Sequence, residues 1–257
     1  MQYLNWDGQT KSHWVSALEG AETLINLMGK SVDCRYTETN KRRILSSRVN
    51  ATRVLGAAIN TLDQPPQLWI NASTATIYKH SMNKPMMVAS KWEHSFYDCA
   101  TPLTRKLTPR ISLVIGNSGG VYSVLNQLVK LGLGGKHGTG KQKFAWIHIQ
   151  DLLAVIDFII GNEAITGSIN VTAPETSTNE LVMQELRMVN GRSIGLPTPK
   201  FLLEIGSFFL RTEPELILKS RYVSPKLLVK AGFTFRYPNI QEAIRQLHSE
   251  LSQGQGY

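Results

Sequence analysis

The stretch GLGGKHGTGKQKFAWIHIQDL, residues 132–152, runs a glycine-rich basic loop directly into an apolar segment carrying Trp146, His148 and Asp151. Such a loop offers backbone N–H groups and lysines to an anion. It reads equally as a tight solvated turn, since glycine favours turns for its own conformational reasons. Within it, GKHGTGKQ (135–142) satisfies the spacing GxxxxGK, but Gln142 stands where a P-loop needs Ser or Thr for magnesium. The loop also follows a helical pattern, whereas a Walker loop follows a strand, so an ATPase is not expected. FAWIHI (144–149) has strand character, with Trp146 and His148 alternating onto one face. DLLAVIDFIIGN (151–162) then reads as a buried helix closed by Gly161 and Asn162.

Working outward, ETLINL (22–27) is a short apolar run that fits a buried parallel strand, its carboxyl end facing a ligand crevice. Residues 37–62 place Ile44, Val49, Val54, Leu55, Ala58 and Leu62 near helical spacing, with Thr37 and Glu38 as starters and Pro65-Pro66 beyond the stop. QLWINAS (67–73) and RISLVIG (110–116) predict two further strands. A helix over 121–131 precedes the glycine loop, and SINVTA (168–173), a helix over 178–190, PKFLLEIGSFFL, SPKLLVKAGF and QEAIRQLHSEL complete the chain. Strands alternating with helices predict an α/β fold. The expectation is a Rossmann-like doubly wound parallel sheet over 1–165, with 118–150 contributing to the substrate crevice, and a smaller C-terminal α+β lobe over 166–257.

Four segments in this order, AETLINLMGKSV (21–32), Ser73 to Tyr78, the loop-to-strand stretch, and KLLVKAGFTFRYPNIQEAIRQL (226–247), resemble the atypical branch of the extended short-chain dehydrogenase/reductase superfamily. That branch is labelled nucleoside-diphosphate-sugar epimerase-like, and the resemblance runs from about Leu4 to Leu247. It implies NADP as cofactor, with NAD open, and a small-molecule substrate of the sugar-nucleotide kind. Members open with a strand, a glycine-rich turn and a helix, a unit of roughly 30 residues or more. The present chain begins at a position matching a later strand, so the pyrophosphate fingerprint is not found in it.

Superfamily chemistry needs a Ser to polarise a carbonyl or hydroxyl, a Tyr as general acid/base and a Lys four residues on. The resemblance places Ser73 in the first role, at a strand end where a turn-satisfying serine is the alternative, and offers Tyr78 as an assistant. Aligned on Trp92-Glu93, the places of the Tyr and Lys pair are taken by Pro85 and Ala89. A YxxxK string at Tyr222–Lys226 contains Pro225, which denies both side chains one helical face. For the cofactor, the resemblance implies Leu27, Met28, Arg43, Arg48 and Val114, with Arg48 favoured because a guanidinium forks onto phosphate oxygens. For the substrate, the glycine loop offers Gly135 and Lys136, and the shared strand face offers Trp146 or His148. The bland alternatives are a solvated charge run at Lys41-Arg42-Arg43 and a core histidine hydrogen-bonded to Asp151 or backbone.

Composition bounds these readings. With 257 residues and 42% hydrophobic content the chain can bury a sizeable core. No apolar run reaches about 18 residues and no charged-then-apolar leader is seen, which predicts neither a membrane span nor a secretory signal, and a cytoplasmic protein. Cys34 and Cys99 have no ligand spacing, so reduced thiols and no metal site are expected. The charge of +9 asks for an acidic partner, yet the basic residues are scattered without aromatic interleaving, so a phosphate-bearing small molecule is preferred to nucleic acid. A homodimer is left open. Two functions stand: an oxidoreductase or sugar-nucleotide epimerase lacking the usual YxxxK pair, and a non-catalytic cofactor-binding sensor or scaffold.

Overall fold

A computed structural model describes residues 2–32, 34–78, 86–197 and 220–254. Its chain divides into two compact units, the first being Met1–Ile77, Met82–Arg110 and Phe158–Ile169. Strand β1 (Thr23–Asn26) pairs in parallel with β2 (Leu68–Asn71), and β2 with β4 (Arg105–Ile111). The five-stranded sheet runs β1-β2-β4-β3, where β3 is Ser73–Thr74, and β8 (Gly167–Val171) also pairs with β4. Every residue of β2 is buried, which explains its unbroken apolar reading.

Helix α1 (Glu38–Ile59) begins where expected, since the Thr37 side chain accepts a hydrogen bond from the Asn40 N–H at 3.2 Å. It packs on α2 (Met86–Tyr97), and Gly56 permits the approach: a Cβ there would lie 2.4 Å from Cys99 Sγ. Trp14, Leu55, Ala58, Ile59, Trp69 and Phe96 form the apolar core of this unit.

The second unit is Tyr78–Ser81, Ile111–Asp157 and Asn170–Tyr257. In it β5 (Leu113–Ile115) pairs in parallel with β7 (Trp146–His148), and β6 (Lys143–Phe144) pairs antiparallel with β9 (Ser177–Thr178). Helices α3 (Gly120–Lys130), α4 (Ile149–Ile160), α5 (Asn179–Val189), α6 (Lys226–Lys230) and α7 (Ile240–Gly254) follow in chain order. Leu125, Trp146, Met183, Leu186, Ile244 and Leu247 are among the residues of the second core.

Two expectations change in detail. The strand read over 110–116 is two strands, because the Ser112 N–H donates to the Val171 carbonyl and the Leu113 N–H to the Ala145 carbonyl. The chain thereby exchanges one sheet for another at Ser112. The division near residue 165 is also drawn differently: α3 packs on α5, so 111–157 groups with the C-terminal residues, while 158–169 joins the first unit. The segment PKFLLEIGSFFL lies outside the described residues. Among those described, no helix is long and apolar enough to cross a membrane.

Part of the positive charge is internal scaffolding. The Arg105 guanidinium donates to the carbonyls of Ile159, Ile160, Asn162 and Ile165, closing the carboxyl end of α4. A cation there satisfies both the orphan carbonyls and the helix dipole. Lys106 donates to the carbonyls of Phe96, in the last turn of α2, and Cys99, just beyond it. Arg105→Met, which keeps the apolar stem, is expected to lower unfolding free energy by about 2–4 kcal/mol in urea titrations, as buried carbonyls lose a charged donor.

Candidate active site

The carboxyl ends of β1 and β2 carry a buried amide pair. The register sets Asn26 beside Asn71, and Asn26 Nδ2 donates to Asn71 Oδ1 at 2.6 Å. Asn26 Oδ1 accepts the Met28 N–H at 3.0 Å, which ties down the turn leaving β1. Nearby, Trp92 Nε1 donates to Thr52 Oγ1 at 3.0 Å, and Thr52 Oγ1 donates to the Arg48 carbonyl at 2.8 Å. Sequence reasoning missed this network, although both strands end in the same Ile-Asn pair, which was the available signal.

Arg48, favoured for cofactor phosphate, is engaged by protein. Its Nη1 donates to the Lys30 and Ile44 carbonyls, both at 3.0 Å, and its guanidinium lies 5.1 Å from the Trp92 ring. Burial opposes its charge and lowers its pKa. Arg43 is exposed on α1, Val114 is half-buried in β5, and Leu27 is 73% exposed at the strand end. Leu27 and Met28 line, with Leu24, Asn26, Trp6 and Trp14, a cavity of about 480 Å³. Such a wall suits the flat ring of a nicotinamide or adenine; among the described residues no cation lines it, so it does not suit a phosphate.

Ser73, which opens β3 two residues beyond the carboxyl end of β2, is 5% exposed. Its Oγ donates to Glu93 Oε1 at 2.6 Å. Arg110 grips the same carboxylate at both oxygens, Nε to Oε1 at 3.0 Å and Nη2 to Oε2 at 2.7 Å. Glu93 comes from α2 and Arg110 from β4, so three elements converge on one ion pair. Sequence reasoning used Glu93 only as an alignment mark. A carboxylate on the apolar face of a helix was the clue, since buried Glu requires a partner.

Tyr78, in the second unit, donates its hydroxyl to Asn170 Oδ1 at 2.6 Å, and Asn170 Nδ2 donates to the Ser224 carbonyl. Ala89 is buried on α2, and Pro85 lies outside the described residues. Tyr222 is exposed and Lys226 opens α6 after Pro225.

The glycine loop is built as a clasp. The Gly135 N–H donates to the Leu196 carbonyl, the Leu196 N–H donates back to the Gly132 carbonyl, and a Cβ on Gly135 would lie 2.4 Å from the Pro197 nitrogen. The loop carbonyls of Gln142 and Gly140 accept the Asn179 and Glu180 N–H groups at the start of α5. His137 is fully buried, its N–H donating to Asn179 Oδ1 and its carbonyl accepting from Gln142 Nε2. Lys136 is exposed to solvent.

Trp146 and His148 are both buried. His148 Nδ1 accepts the Gln150 N–H at 3.1 Å, which assigns the ring proton to Nε2 and makes it the donor to Gln246 Oε1 at 3.0 Å. Burial is the main cause lowering its pKa, opposed by the Gln246 contact, and the ring lies 4.1 Å from that of Tyr237. Asp151 accepts the backbone N–H groups of Arg236 and Tyr237, anchoring the segment AGFTFRYP. Among the described residues no cluster of three or more His, Cys, Asp or Glu side chains could hold a metal ion, and Cys34 and Cys99 are free thiols.

A parallel sheet flanked by helices defines a Rossmann-like α/β protein, and comparison with known proteins is consistent with this. A family model described as a domain of unknown function, DUF1731, matches residues 198–247. Epimerase family protein YfhF of Bacillus subtilis is 30% identical over 262 residues, covering 96% of this chain and 84% of its own. The crystal structure of human epimerase family protein SDR39U1 (isoform 2) with NADPH superposes with a TM-score of 0.83 at 25% identity, covering 92% of this chain and 85% of its own. The nucleoside-diphosphate sugar epimerase from Corynebacterium glutamicum gives a TM-score of 0.74 at 25% identity, covering 98% of this chain and 52% of its own. The chain belongs to the epimerase family, within the atypical short-chain dehydrogenase/reductases.

Burial lowers the His137 pKa from its ordinary 6.5 to about 4. The folded chain therefore binds this proton less readily than the unfolded chain, and the stabilisation is present above pH 6.5 and lost as pH falls toward 4. The loss amounts to about 1.4 kcal/mol per pH unit and about 3 kcal/mol in all. Urea titrations of the native chain between pH 6.5 and 4.5 are expected to fall more steeply than those of His137→Leu by about that slope.

Proposed function

We propose that this chain binds NADP and acts, as an oxidoreductase or epimerase, on a hydroxyl-bearing or carbonyl-bearing carbon of a small molecule in the sugar-nucleotide class. The observation that carries this reading is the buried Ser73, two residues beyond the carboxyl end of β2, held by Glu93, which Arg110 grips in turn. In open α/β sheets ligands bind outside such ends. The relative crystallised with NADPH supports the choice of cofactor. Leu27 and Met28 offer an apolar wall to a ring, Val114 is the family-implied neighbour of the nicotinamide, and Arg43 and Arg48 are the cations assigned to the phosphate end. The bound cofactor would supply the hydride centre, while the chain orients the reacting carbon and excludes water.

A second reading, cofactor binding without turnover, draws on two observations. The Tyr78 hydroxyl donates to Asn170, and the family resemblance sets Ala89 where the usual lysine would stand. Titration calorimetry of NADPH and NADH into the 257-residue chain tests what the readings share. NADPH is expected to bind with micromolar affinity, and Arg48→Ala to weaken it at least about tenfold, a change of about 1.4 kcal/mol. Absence of NADPH binding by the folded chain would overturn both. Substrate-dependent oxidation of NADPH across a carbonyl panel, abolished by Ser73→Ala with cofactor affinity intact, is expected for the enzyme; no oxidation with any member of the panel would favour the sensor or scaffold.

A further inference from the structure

Strand β1 ends its sheet, and hydrogen bonds to β2 fix which way its backbone faces. The Glu22 carbonyl accepts the Leu68 N–H, and the Asn26 carbonyl accepts the Ala72 N–H. Backbone groups alternate in direction along a strand, so those of Thr23 and Ile25 point outward, where among the described residues no strand pairs with them. Such an edge is a template for another strand, and proteins blunt it with proline, lysine or a bulge. ETLINLM (22–28) holds no proline, lysine or arginine. Ile25 is 42% exposed and Leu27 73%, and Leu4, which shares their cavity, is exposed as well. The cavity of about 480 Å³ wraps this edge, since Leu24 to Met28 line it without a gap although successive side chains point to opposite faces. Among the described residues no charged side chain lines it, so on a chain of net charge +9 it is a face where a second copy meets little repulsion.

We propose that this edge is the contact of a homodimer, in which the β1 strands of two copies pair antiparallel about a twofold axis and each sends Ile25 and Leu27 into the apolar cavity of the other. Charge selects the direction of pairing. Glu22 precedes β1 and Lys30 follows it, with no charged residue between them. Antiparallel pairing carries each Glu22 toward the other copy's Lys30, whereas parallel pairing sets like against like at both ends. A twofold contact also satisfies the outward N–H and C=O groups of both copies and closes on itself, so assembly stops at two. The inference goes beyond the proposed function and meets it at one point. Leu27 and Met28 are the wall offered there to a cofactor ring, so the dimer shuts a cavity that the monomer presents, and cofactor and second copy exclude one another.

Sedimentation equilibrium of the full chain without ligand is expected to show a monomer–dimer equilibrium at micromolar concentration. Glu22→Lys and Lys30→Glu are each expected to weaken the dimer about tenfold, and the two together to restore it, because like charges facing across paired strands repel. Ile25→Lys, which puts a charge at the edge, should leave only monomer. NADPH should shift the native chain toward monomer.

A native chain that stays monomeric throughout would overturn the proposal. So would assembly that grows past two copies, or a double charge swap as weak as the single changes. A dimer retained by Ile25→Lys, shown to be folded by circular dichroism, overturns it too; if that variant does not fold, the charge swap decides. NADPH that binds without loosening the dimer would overturn the seating of Ile25 and Leu27 in the opposite cavity. Dimerisation by a chain that never binds NADPH would leave the pairing standing and overturn the cofactor reading, while NADPH binding by a strictly monomeric chain would do the reverse.

Discussion

The first unit depends on one buried carboxylate. Glu93 on α2 is only 6% exposed, where an unpaired charge costs several kcal/mol, and the bidentate grip of Arg110 from β4 is what makes its burial tolerable. That pairing fixes the rotation of α2 against the sheet. With α2 so turned, Trp92 reaches Thr52 on α1 and stacks under Arg48, which in turn holds the turn after β1 through the Lys30 carbonyl. Ser73 inherits its orientation from the same ion pair. A residue read from the sequence as an alignment mark thus organises the strand ends at which a ligand would bind.

The second unit has its own anchors, and they are neutral or backbone-directed. Asp151 receives two N–H groups from the segment at Arg236 and Tyr237, His148 is held as a neutral ring between Gln150 and Gln246, and the glycine loop supplies carbonyls to the start of α5. The loop's glycines are explained by close approach, because Gly135 passes the 195–197 segment with no room for a side chain. Glycine-rich and basic composition is compatible with an anion cradle and with a clasp. The choice turns on where the N–H groups point, and that of Gly135 points at protein.

Much of the secondary structure was legible because it follows from local rules. The Thr37 cap and apolar spacing mark α1, and the continuous run at Leu68–Asn71 marks a strand buried on both faces. Strand breaks at Ser112 and Ala145 were not legible, since each is an exchange of pairing partner and periodicity carries no partner information. Among site residues, the sequence pointed to Ser73 at a strand end, while the commitment of its proton was invisible. Arg48 was singled out for its chemistry, while the hydrogen bonds from its Nη1 to the Lys30 and Ile44 carbonyls were not foreseeable.

What the sequence by itself determined is therefore the α/β class, the order of strands and helices, the family, and the absence of a YxxxK pair on one helical face. Each of these depends on residues near one another in the chain or on the types of residue present. The tertiary structure alone decided that Arg105, Lys106 and Arg110 are internal donors, that Glu93 and Ser73 form one unit, and that His148 is neutral with its proton on Nε2. These depend on pairs separated by 7 to 60 residues along the chain for the internal donors and 20 for Ser73 and Glu93. Hydrogen bonds in a buried site are settled by direction and distance in space, and linear spacing does not encode either.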